Sequence, residues 1–242
     1  MTGILNVRKI SRRFGGLQAL SDVTFSVPKG QIVGLIGPNG AGKTTFFSAL
    51  VGLVRPDSGT VQLDGASLAG LKPHKVAALG MTKTFQNVAL FAESTVLDNV
   101  LTAGLLRHDV ETARSEALLC LDRVGLKAVV HKQAGELSFP ERARVELARA
   151  LCTGPKVLLL DEVMAALNPV EMQGVMDLIQ SLRDDGITLL VVEHHMRAIM
   201  TICDRILVLN FGKLLADGSP EQVANDPQVV EAYLGRSMEA RK

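Results

Sequence analysis

The chain of 242 residues contains little cysteine, little net charge and no internal repeat. Its three cysteines, Cys120, Cys152 and Cys203, are widely spaced and form no metal-binding pattern. Each is therefore expected to be a reduced thiol that packs as a small hydrophobic residue. The formal net charge of +1 gives no bulk attraction to a polyanion, which argues against a nucleic-acid partner.

Long hydrophobic runs are also lacking. No apolar stretch approaches the roughly 18–20 residues that cross a bilayer, and residues 1–14 have no apolar signal core. The expected location is therefore the cytoplasm. Yet 47% of the residues are hydrophobic and the mean hydropathy is +0.24. This composition is typical either of a surface covered by partners or of a large parallel-sheet core. The length suits one large α/β domain or a domain with a subdomain.

Residues 37–44 read Gly-Pro-Asn-Gly-Ala-Gly-Lys-Thr and form a phosphate-binding loop. A short apolar run precedes them and a helix-like run follows, which is the context that the motif requires. Glycine N–H groups and the helix N-terminus bind phosphates, Lys43 reaches the β- and γ-phosphates, and Thr44 places its hydroxyl on Mg²⁺. The predicted ATP-binding residues include Gly37, Pro38, Asn39, Gly40, Ala41, Gly42, Lys43, Thr44 and Thr45.

Two carboxylates follow a second apolar run, at residues 157–160. Asp161 is predicted to hold the Mg²⁺ shell, and Glu162 to polarise the attacking water. An ordinary acidic strand end is the alternative. The phosphate loop elsewhere in the chain favours the catalytic interpretation.

Three further candidates lie where predicted strands end. His194 follows a strand at residues 187–192 and is expected near the γ-phosphate, although a structural histidine is the alternative and only one of His194 and His195 can face the site. Gln86 follows a strand at 81–85 and is predicted to contact Mg²⁺ or the attacking water through its amide oxygen. Phe14 is either a purine-stacking residue or a core residue.

The chain alternates strands and helices except at about residues 94–154, which are mostly helical. Residues 205–209 and 213–216 are predicted to form a hairpin across Phe211 and Gly212. The fold class is therefore α/β, a P-loop NTPase core with an inserted α-helical subdomain at 94–154 inside a single domain of residues 1–242.

Together these motifs resemble the ATP-binding subunit of ATP-binding-cassette (ABC) transporters over essentially the entire chain. By this resemblance Phe14 is the adenine-stacking residue, Gln86 the Q-loop glutamine, Asp161 and Glu162 the Walker B pair, and His194 the switch histidine. The resemblance also implies an antiparallel β-subdomain. Five stretches, at 14–20, 84–87, 166–169, 192–194 and 231–235, are similar to the branched-chain (hydrophobic) amino acid uptake group.

The signature motif departs from this family. In this family the signature motif is usually Leu-Ser-Gly-Gly-Gln, whereas residues 137–141 of this chain are Leu-Ser-Phe-Pro-Glu. The resemblance implies that Ser138, Phe139, Pro140 and Glu141 face a nucleotide held by a partner subunit. Pro140 lacks an N–H group and Glu141 adds negative charge, both unfavourable beside a γ-phosphate. Ser138 and Glu141 nevertheless have capping-box spacing, so a helix is predicted to begin here.

The resemblance implies an ATP-hydrolysing motor of an importer for branched-chain or other hydrophobic amino acids, or related amides. Its implied cofactors are ATP and Mg²⁺. Its implied partners are a second ATP-binding subunit, identical or related, two transmembrane permease subunits and, indirectly, a substrate-binding protein. The implied location is the cytoplasmic face of the inner membrane. The apolar segment 86–95, which includes Phe91, is expected to form either a docking groove for a permease helix or ordinary core packing.

Other classes fit less well. A lipopolysaccharide-export ATPase is the nearest alternative, because it too can end in Tyr-Leu-Gly. Repair-associated relatives carry long coiled coils, and no sustained heptads occur in this sequence. Ribosome-associated relatives usually carry two cassettes, and P-loop phosphotransferases lack the inserted signature helix.

Overall fold

The described residues form ten strands and nine α-helices. The computed structural model describes residues 3–85, 89–165 and 167–239, with side chains up to residue 233. The strands are β1 (Leu5–Phe14), β2 (Leu17–Val27), β3 (Ile32–Ile36), β4 (Ser58–Leu63), β5 (Ala66–Ser67), β6 (Met81–Lys83), β7 (Val157–Asp161), β8 (Thr188–Val192), β9 (Arg205–Asn210) and β10 (Lys213–Gly218). The helices are α1 (Lys43–Leu50), α2 (Pro73–Leu79), α3 (Val96–Gly104), α4 (Val110–Arg123), α5 (Phe139–Cys152), α6 (Pro169–Asp184), α7 (Met196–Ile202), α8 (Pro220–Ala224) and α9 (Pro227–Glu239).

A six-stranded sheet has the order β10-β9-β3-β8-β7-β6 and is parallel except for β10. Every residue of β3, β7 and β8 is buried, because helices or the second sheet cover both faces. This explains why these strands are continuous apolar runs. Since β3, β8 and β7 are neighbours, the segments that follow Ile36, Asp161 and Val192 meet at one edge, where ligands of parallel sheets bind.

A four-stranded antiparallel sheet has the order β2-β1-β4-β5. Phe14 pairs with Leu17 across a Gly15-Gly16 turn, so β1 and β2 remain paired up to the turn itself. Backbone pairing continues there after the apolar alternation has ended. The predicted α/β class with an antiparallel β-subdomain is confirmed.

Residues 94–154 contain α3, α4, α5 and two short 3₁₀ turns, Lys127–Val129 and Ala134–Glu136. The side chains of Thr95 and Asp109 cap α3 and α4 by accepting backbone hydrogen bonds from Asp98 and Thr112. The three helices pack on one another through fully buried side chains such as Leu121. The boundaries of a separate helical subdomain remain a prediction.

Two apolar cores lie on the two faces of the large sheet. Along β7, Leu158 and Leu160 belong to the core beneath the helices, whereas Val157 and Leu159 belong to the core shared with α1 and the smaller sheet. Cys120, Cys152 and Cys203 are buried free thiols, as predicted. In the part of the chain that the structure describes, no helix is long and apolar enough to cross a bilayer.

The β9–β10 hairpin turns at Phe211 and Gly212, as predicted. Both residues have positive φ, 46° and 75°, which is typical of the tight turn that matches strand twist. The Gly212 N–H donates to Ala41 O at 2.9 Å, and the Ser21 N–H donates to Gly212 O at 2.8 Å. This turn therefore connects the phosphate loop to β2.

Candidate active site

The phosphate loop joins β3 to α1 and contains two glycines that no larger residue can replace. Gly37 and Gly42 have φ of 154° and 105°. A Cβ on Gly37 would lie 2.1 Å from Leu209 O, and one on Gly42 would lie 2.6 Å from Ala19 O. Close backbone approach, together with positive φ, requires glycine at both positions.

Helix α1 begins at Lys43 directly after this loop. Its N-cap residue is Gly42, which has no side chain to cap the helix. The first regular hydrogen bond of the helix runs from the Phe46 N–H to Gly42 O at 2.8 Å. The N–H groups of a first helical turn have no intrahelical acceptor, and the helix dipole adds partial positive charge. The start of α1, with Thr44 and Thr45, is thus suited to bind phosphate.

The Lys43 side chain folds back over the loop. Its Nζ donates to Gly37 O at 2.6 Å and to Pro38 O at 3.3 Å, and the residue is buried. These carbonyl groups hold the ammonium at the mouth of the loop. A phosphate bound to the start of α1 would meet this positive charge.

The two carboxylates at the end of β7, Asp161 and Glu162, have different surroundings. Asp161 is 3% exposed and its Oδ2 lies 2.7 Å from Lys83 Nζ. Glu162 has a left-handed φ of 55°, and its N–H donates to Val192 O at 2.9 Å. Such a conformation costs roughly 1–3 kcal/mol in a residue other than glycine, and it occurs preferentially at functional sites. The Glu162 carboxylate contacts His194, whereas the Asp161 carboxylate contacts Lys83.

His194 meets Glu162 at the phosphate loop. His194 Nε2 lies 2.8 Å from Glu162 Oε1. Both residues line an open cavity of about 380 Å³, together with Phe14, Lys43 and Thr44. The structure thus brings ten sequence-predicted residues to one cavity, namely Phe14, Asn39, Gly40, Ala41, Gly42, Lys43, Thr44, Thr45, Glu162 and His194.

His195 has different surroundings. It precedes α7 as its N-cap residue and lines a groove between α6 and α7 beside Met172 and Met196. The placement therefore favours His194 as the phosphate-facing histidine. Its catalytic role remains a prediction.

Phe14 ends β1 and is 44% exposed, so it is not a core residue. The guanidinium carbon of Arg12 lies 4.6 Å from the centroid of its ring, in cation–π contact. Arg12 lies over the ring, and Phe14 also lines the cavity at the phosphate loop. Stacking on a purine remains a prediction.

The signature helix α5 begins with the predicted capping box. Glu141 Oε2 accepts hydrogen bonds from the Ser138 N–H at 2.8 Å and from the Ser138 hydroxyl at 2.7 Å. These bonds lower the pKa of Glu141, first through the hydroxyl and then through the N–H. Pro140 is tolerated because a first-turn N–H has no helical acceptor. Phe139 is exposed, and the roles of these four residues toward a partner's nucleotide remain predictions.

Gln86 lies outside the described residues, as do Asn87, Val88 and Ala166. The predicted role of Gln86 toward Mg²⁺ or water therefore remains a prediction.

In the loop after Glu162, Asn168 caps α6 by accepting hydrogen bonds from the N–H groups of Val170 and Glu171, both at 3.0 Å. Asparagine is among the residues that cap helix N-termini most effectively.

Sequence reasoning missed Glu193. This residue is 3% exposed, and its Oε1 accepts a hydrogen bond from the Met164 N–H at 2.7 Å. Burial raises the pKa of its carboxyl group to about 7, and the charges of Glu162 and Asp161 add to the effect. Glu193 thus fixes the loop after Glu162 to the segment that carries His194. A carboxylate directly after the apolar run 189–192 was the available signal.

Lys83 was also missed. Its ammonium group is buried beside Asp161 and lies 5.9 Å and 5.5 Å from the ring centroids of Phe47 and Phe85. The signal was a single charged residue inside the strand predicted at 81–85. That strand ends at Lys83, two residues earlier than predicted.

The donors at the site suit a magnesium ion that arrives with its nucleotide. Among the described residues, no group of three or more His, Cys, Asp or Glu is arranged to hold a metal. Mg²⁺ prefers one or two protein oxygens together with phosphate oxygens and water. The Asp161 carboxylate and the Thr44 hydroxyl are oxygen donors of this kind, so the residues present fit the ion.

Comparison with known proteins gives consistent matches along the chain. The sequence profile of the ABC transporter family matches residues 20–165, and that of the branched-chain amino acid ATP-binding cassette transporter matches residues 213–238. The high-affinity branched-chain amino acid transport ATP-binding protein BraF of Pseudomonas aeruginosa is 41% identical, with 97% of this chain and 98% of BraF covered. LivG of Escherichia coli K12, described by the same words, is 42% identical at the same coverage. The lipopolysaccharide export protein LptB of Haemophilus influenzae is 36% identical over 96% of this chain and 97% of LptB.

Solved structures agree with this assignment. The ADP conformation of MJ1267, an ATP-binding cassette of an ABC transporter, has a TM-score of 0.88 at 30% identity and covers 97% of this chain and 100% of that one. The dimeric post-hydrolysis cassette MJ0796, bound to ADP and Pi, has a TM-score of 0.81 at 25% identity, with 89% and 98% covered. The family predicted from the motifs is confirmed: the chain belongs to the ABC transporter family, as an ATP-binding cassette.

Proposed function

We propose that this cassette is the ATP-hydrolysing subunit of an importer for branched-chain or other hydrophobic amino acids, or related amides. The observation that carries the proposal is the single cavity lined by Lys43, Thr44, Glu162 and His194. It joins a phosphate-binding loop to a carboxylate that can accept a proton from water. Binding without hydrolysis would not need the second half of this arrangement.

Each residue has a physical task in this proposal. Lys43 and the N–H groups at the start of α1 bind the phosphates and compensate their negative charge. Glu162 accepts a proton from the attacking water, and the 2.8 Å contact with His194 orients its carboxylate. Asp161 and Thr44 would hold Mg²⁺, which neutralises charge on the phosphate oxygens when it is bound.

The substrate class rests on similarity, since a motor subunit of this kind does not itself bind the transported molecule. Relatives named for branched-chain amino acid transport are 41% and 42% identical, whereas those named for lipopolysaccharide export are 36% and 37% identical. The match at residues 213–238 also favours amino acid uptake. Lipopolysaccharide export remains the alternative.

The proposed partners are a second ATP-binding subunit, two permease subunits at the cytoplasmic face of the membrane and, indirectly, a substrate-binding protein. The dimeric cassette MJ0796 supports pairing of two cassettes. The exposed ring of Phe91, 59% accessible beside the partly buried Leu90, supports docking of a permease helix at this segment.

The test is reconstitution of the cassette with its permeases and binding protein in proteoliposomes. Lys43→Ala removes the phosphate contact and is expected to abolish both ATP hydrolysis and leucine uptake. Lys127→Ala is the matched control, because the Lys127 side chain is 79% exposed on the helical segment. This variant is expected to leave hydrolysis and uptake unchanged. Full hydrolysis by the Lys43 variant would refute the site. If the wild-type complex hydrolyses ATP but no hydrophobic amino acid or amide stimulates this hydrolysis, the proposed substrate class is refuted.

A further inference from the structure

The buried pair of Lys83 and Asp161 lies where two adjacent strands of the large sheet end. Lys83 is the last residue of β6 and pairs with Leu159 of β7. The Thr84 N–H continues this pairing by donating to Leu159 O at 2.9 Å. The end of β6 therefore lies directly beside the end of β7, which carries Asp161.

Two consecutive residues hold two different parts of Asp161. The Lys83 ammonium lies 2.7 Å from Asp161 Oδ2. The Thr84 hydroxyl accepts a hydrogen bond from the Asp161 N–H at 3.0 Å. Both the carboxylate and the backbone of Asp161 are thus positioned by the end of β6.

This ion pair is buried, whereas the pair chosen for comparison lies at the surface. The side chains of Lys83 and Asp161 are 5% and 3% exposed. The pair between Lys156 and Asp64 is shorter, at 2.5 Å, but its side chains are 52% and 58% exposed. An exposed pair contributes little to stability, whereas removal of one partner from a buried pair leaves an uncompensated charge and is strongly destabilising.

We infer that Lys83 is a positioning residue that serves as the counter-ion of Asp161 in the nucleotide-free cassette and shares this carboxylate with Mg²⁺ when Mg·ATP is bound. The inference rests on the proposed ATP site. The ammonium occupies Oδ2 and keeps the carboxylate in a fixed orientation before the nucleotide arrives. Binding of Mg²⁺ then brings a second cation to the same carboxylate. The contribution of Lys83 to stability therefore depends on whether the metal is bound.

This arrangement predicts a specific dependence of stability on Mg²⁺. Among the described residues, Lys83 is the ion-pair partner of Asp161, so its removal leaves this buried carboxylate without that counter-ion until Mg²⁺ supplies one. The destabilisation caused by Lys83→Met should therefore be large without metal and small with Mg²⁺ and nucleotide. A residue that only packs between Phe47 and Phe85 would give the same loss in both states.

The experiment is thermal unfolding of the purified cassette with no nucleotide, with a non-hydrolysable ATP analogue in EDTA, and with the analogue and Mg²⁺. Lys83→Met is expected to lower Tm by about 6–15 °C in the first two conditions and by less than half of that with Mg²⁺. Lys83→Arg, which keeps the charge, is expected to retain most of the wild-type behaviour. Lys156→Met is the matched control and should shift Tm by at most about 2 °C in all three conditions.

The outcomes separate this inference from the proposed function. If the analogue does not raise Tm of the wild type in any condition, the ATP site itself is refuted. If it does, and the loss in Lys83→Met is equal with and without Mg²⁺, Lys83 is only a structural residue and the inference is overturned. Should Lys83→Met not fold, Lys83→Gln is read in the same way. The double variant Lys83→Met/Asp161→Asn should regain nucleotide-free stability, and failure to do so also overturns the inference.

Discussion

His194 Nε2 lies 2.8 Å from Glu162 Oε1, although the two residues follow different strands. Their contact is set by the parallel register of β7 and β8, in which Asp161 pairs with Val192. The Glu162 N–H then donates to Val192 O at 2.9 Å and extends this register by one residue. A backbone ladder thus determines the distance between a carboxylate and an imidazole.

Glu162→Gln keeps the shape of the side chain and removes its charge. We expect ATP hydrolysis in the assembled complex to fall by about 10²-fold or more, because the proton acceptor is lost. ATP should still bind, and the cassettes should accumulate as an ATP-bound dimer that is visible by size-exclusion chromatography. A wild-type rate of hydrolysis would exclude the assigned role.

The two adjacent histidines provide a matched pair. We expect His194→Ala to lower kcat by at least about tenfold, because Glu162 loses its orienting contact. His195→Ala should have a smaller effect, since His195 lies at the start of α7 and lines the neighbouring groove. Steady-state ATPase assays decide the order, and the reverse order would identify His195 as the functional residue.

Glu193 predicts a pH dependence of stability. Its pKa is raised from 4.5 to about 7 by burial, so the folded protein keeps a proton that the unfolded chain loses. The stabilising contribution is complete below pH 4.5 and is lost as the pH rises to about 7, with a total of up to about 3 kcal/mol.

Glu193→Gln is the test, because an amide oxygen can still accept the Met164 N–H but does not titrate. Urea denaturation between pH 5 and 8 should show the variant gaining stability relative to the wild type as the pH rises. The exposed Glu111→Gln is the control and should show no such trend. A constant difference between Glu193→Gln and the wild type would contradict the assigned pKa.

Phe91 is predicted to contact the permease. Its ring is 59% exposed, and buried Asn99 fixes its backbone by accepting from the Phe91 N–H at 2.8 Å and donating to Phe91 O at 3.0 Å. Phe91→Ser should therefore change the free energy of unfolding by no more than about 0.5 kcal/mol while it lowers transport in the assembled complex. Leu119→Ser, 58% exposed on α4, is the control for a loss of exposed apolar surface. An unfolded Phe91 variant would support the core-packing alternative.

The altered signature predicts unequal ATP sites if the partner is a related cassette with an ordinary signature. The site completed by Pro140 and Glu141 should be the slower one, because one N–H donor is missing and the Glu141 carboxylate is held at the start of α5 by Ser138. Loss of one such donor costs on the order of a hundredfold where it stabilises a transition state. Glu162→Gln should therefore remove most of the activity of a heteromeric complex. The assignment is reversed if the equivalent change in the partner does so instead.

Local patterns were sufficient to predict the elements around the phosphate loop and the hairpin at Phe211 and Gly212. The capping residue Ser138 was predicted in the same way, since turn and cap chemistry acts within a few residues. The partner of Asp161 was not predicted, because Lys83 is 78 residues away and is brought close only by the strand order. Met164 and Glu193, 29 residues apart, meet for the same reason.

The turn at Gly212 has a consequence for how this cassette can be labelled. A hairpin tip is ordinarily a place where a chain tolerates an affinity tag, a fluorophore or an inserted domain. Here the tip donates to Ala41 in the phosphate loop and accepts from Ser21 in β2, so an insertion would separate two segments that line the cavity. Gly174 on α6 is exposed, has no left-handed backbone conformation, and would place an added side chain in open space, so it is the better position for a fluorophore.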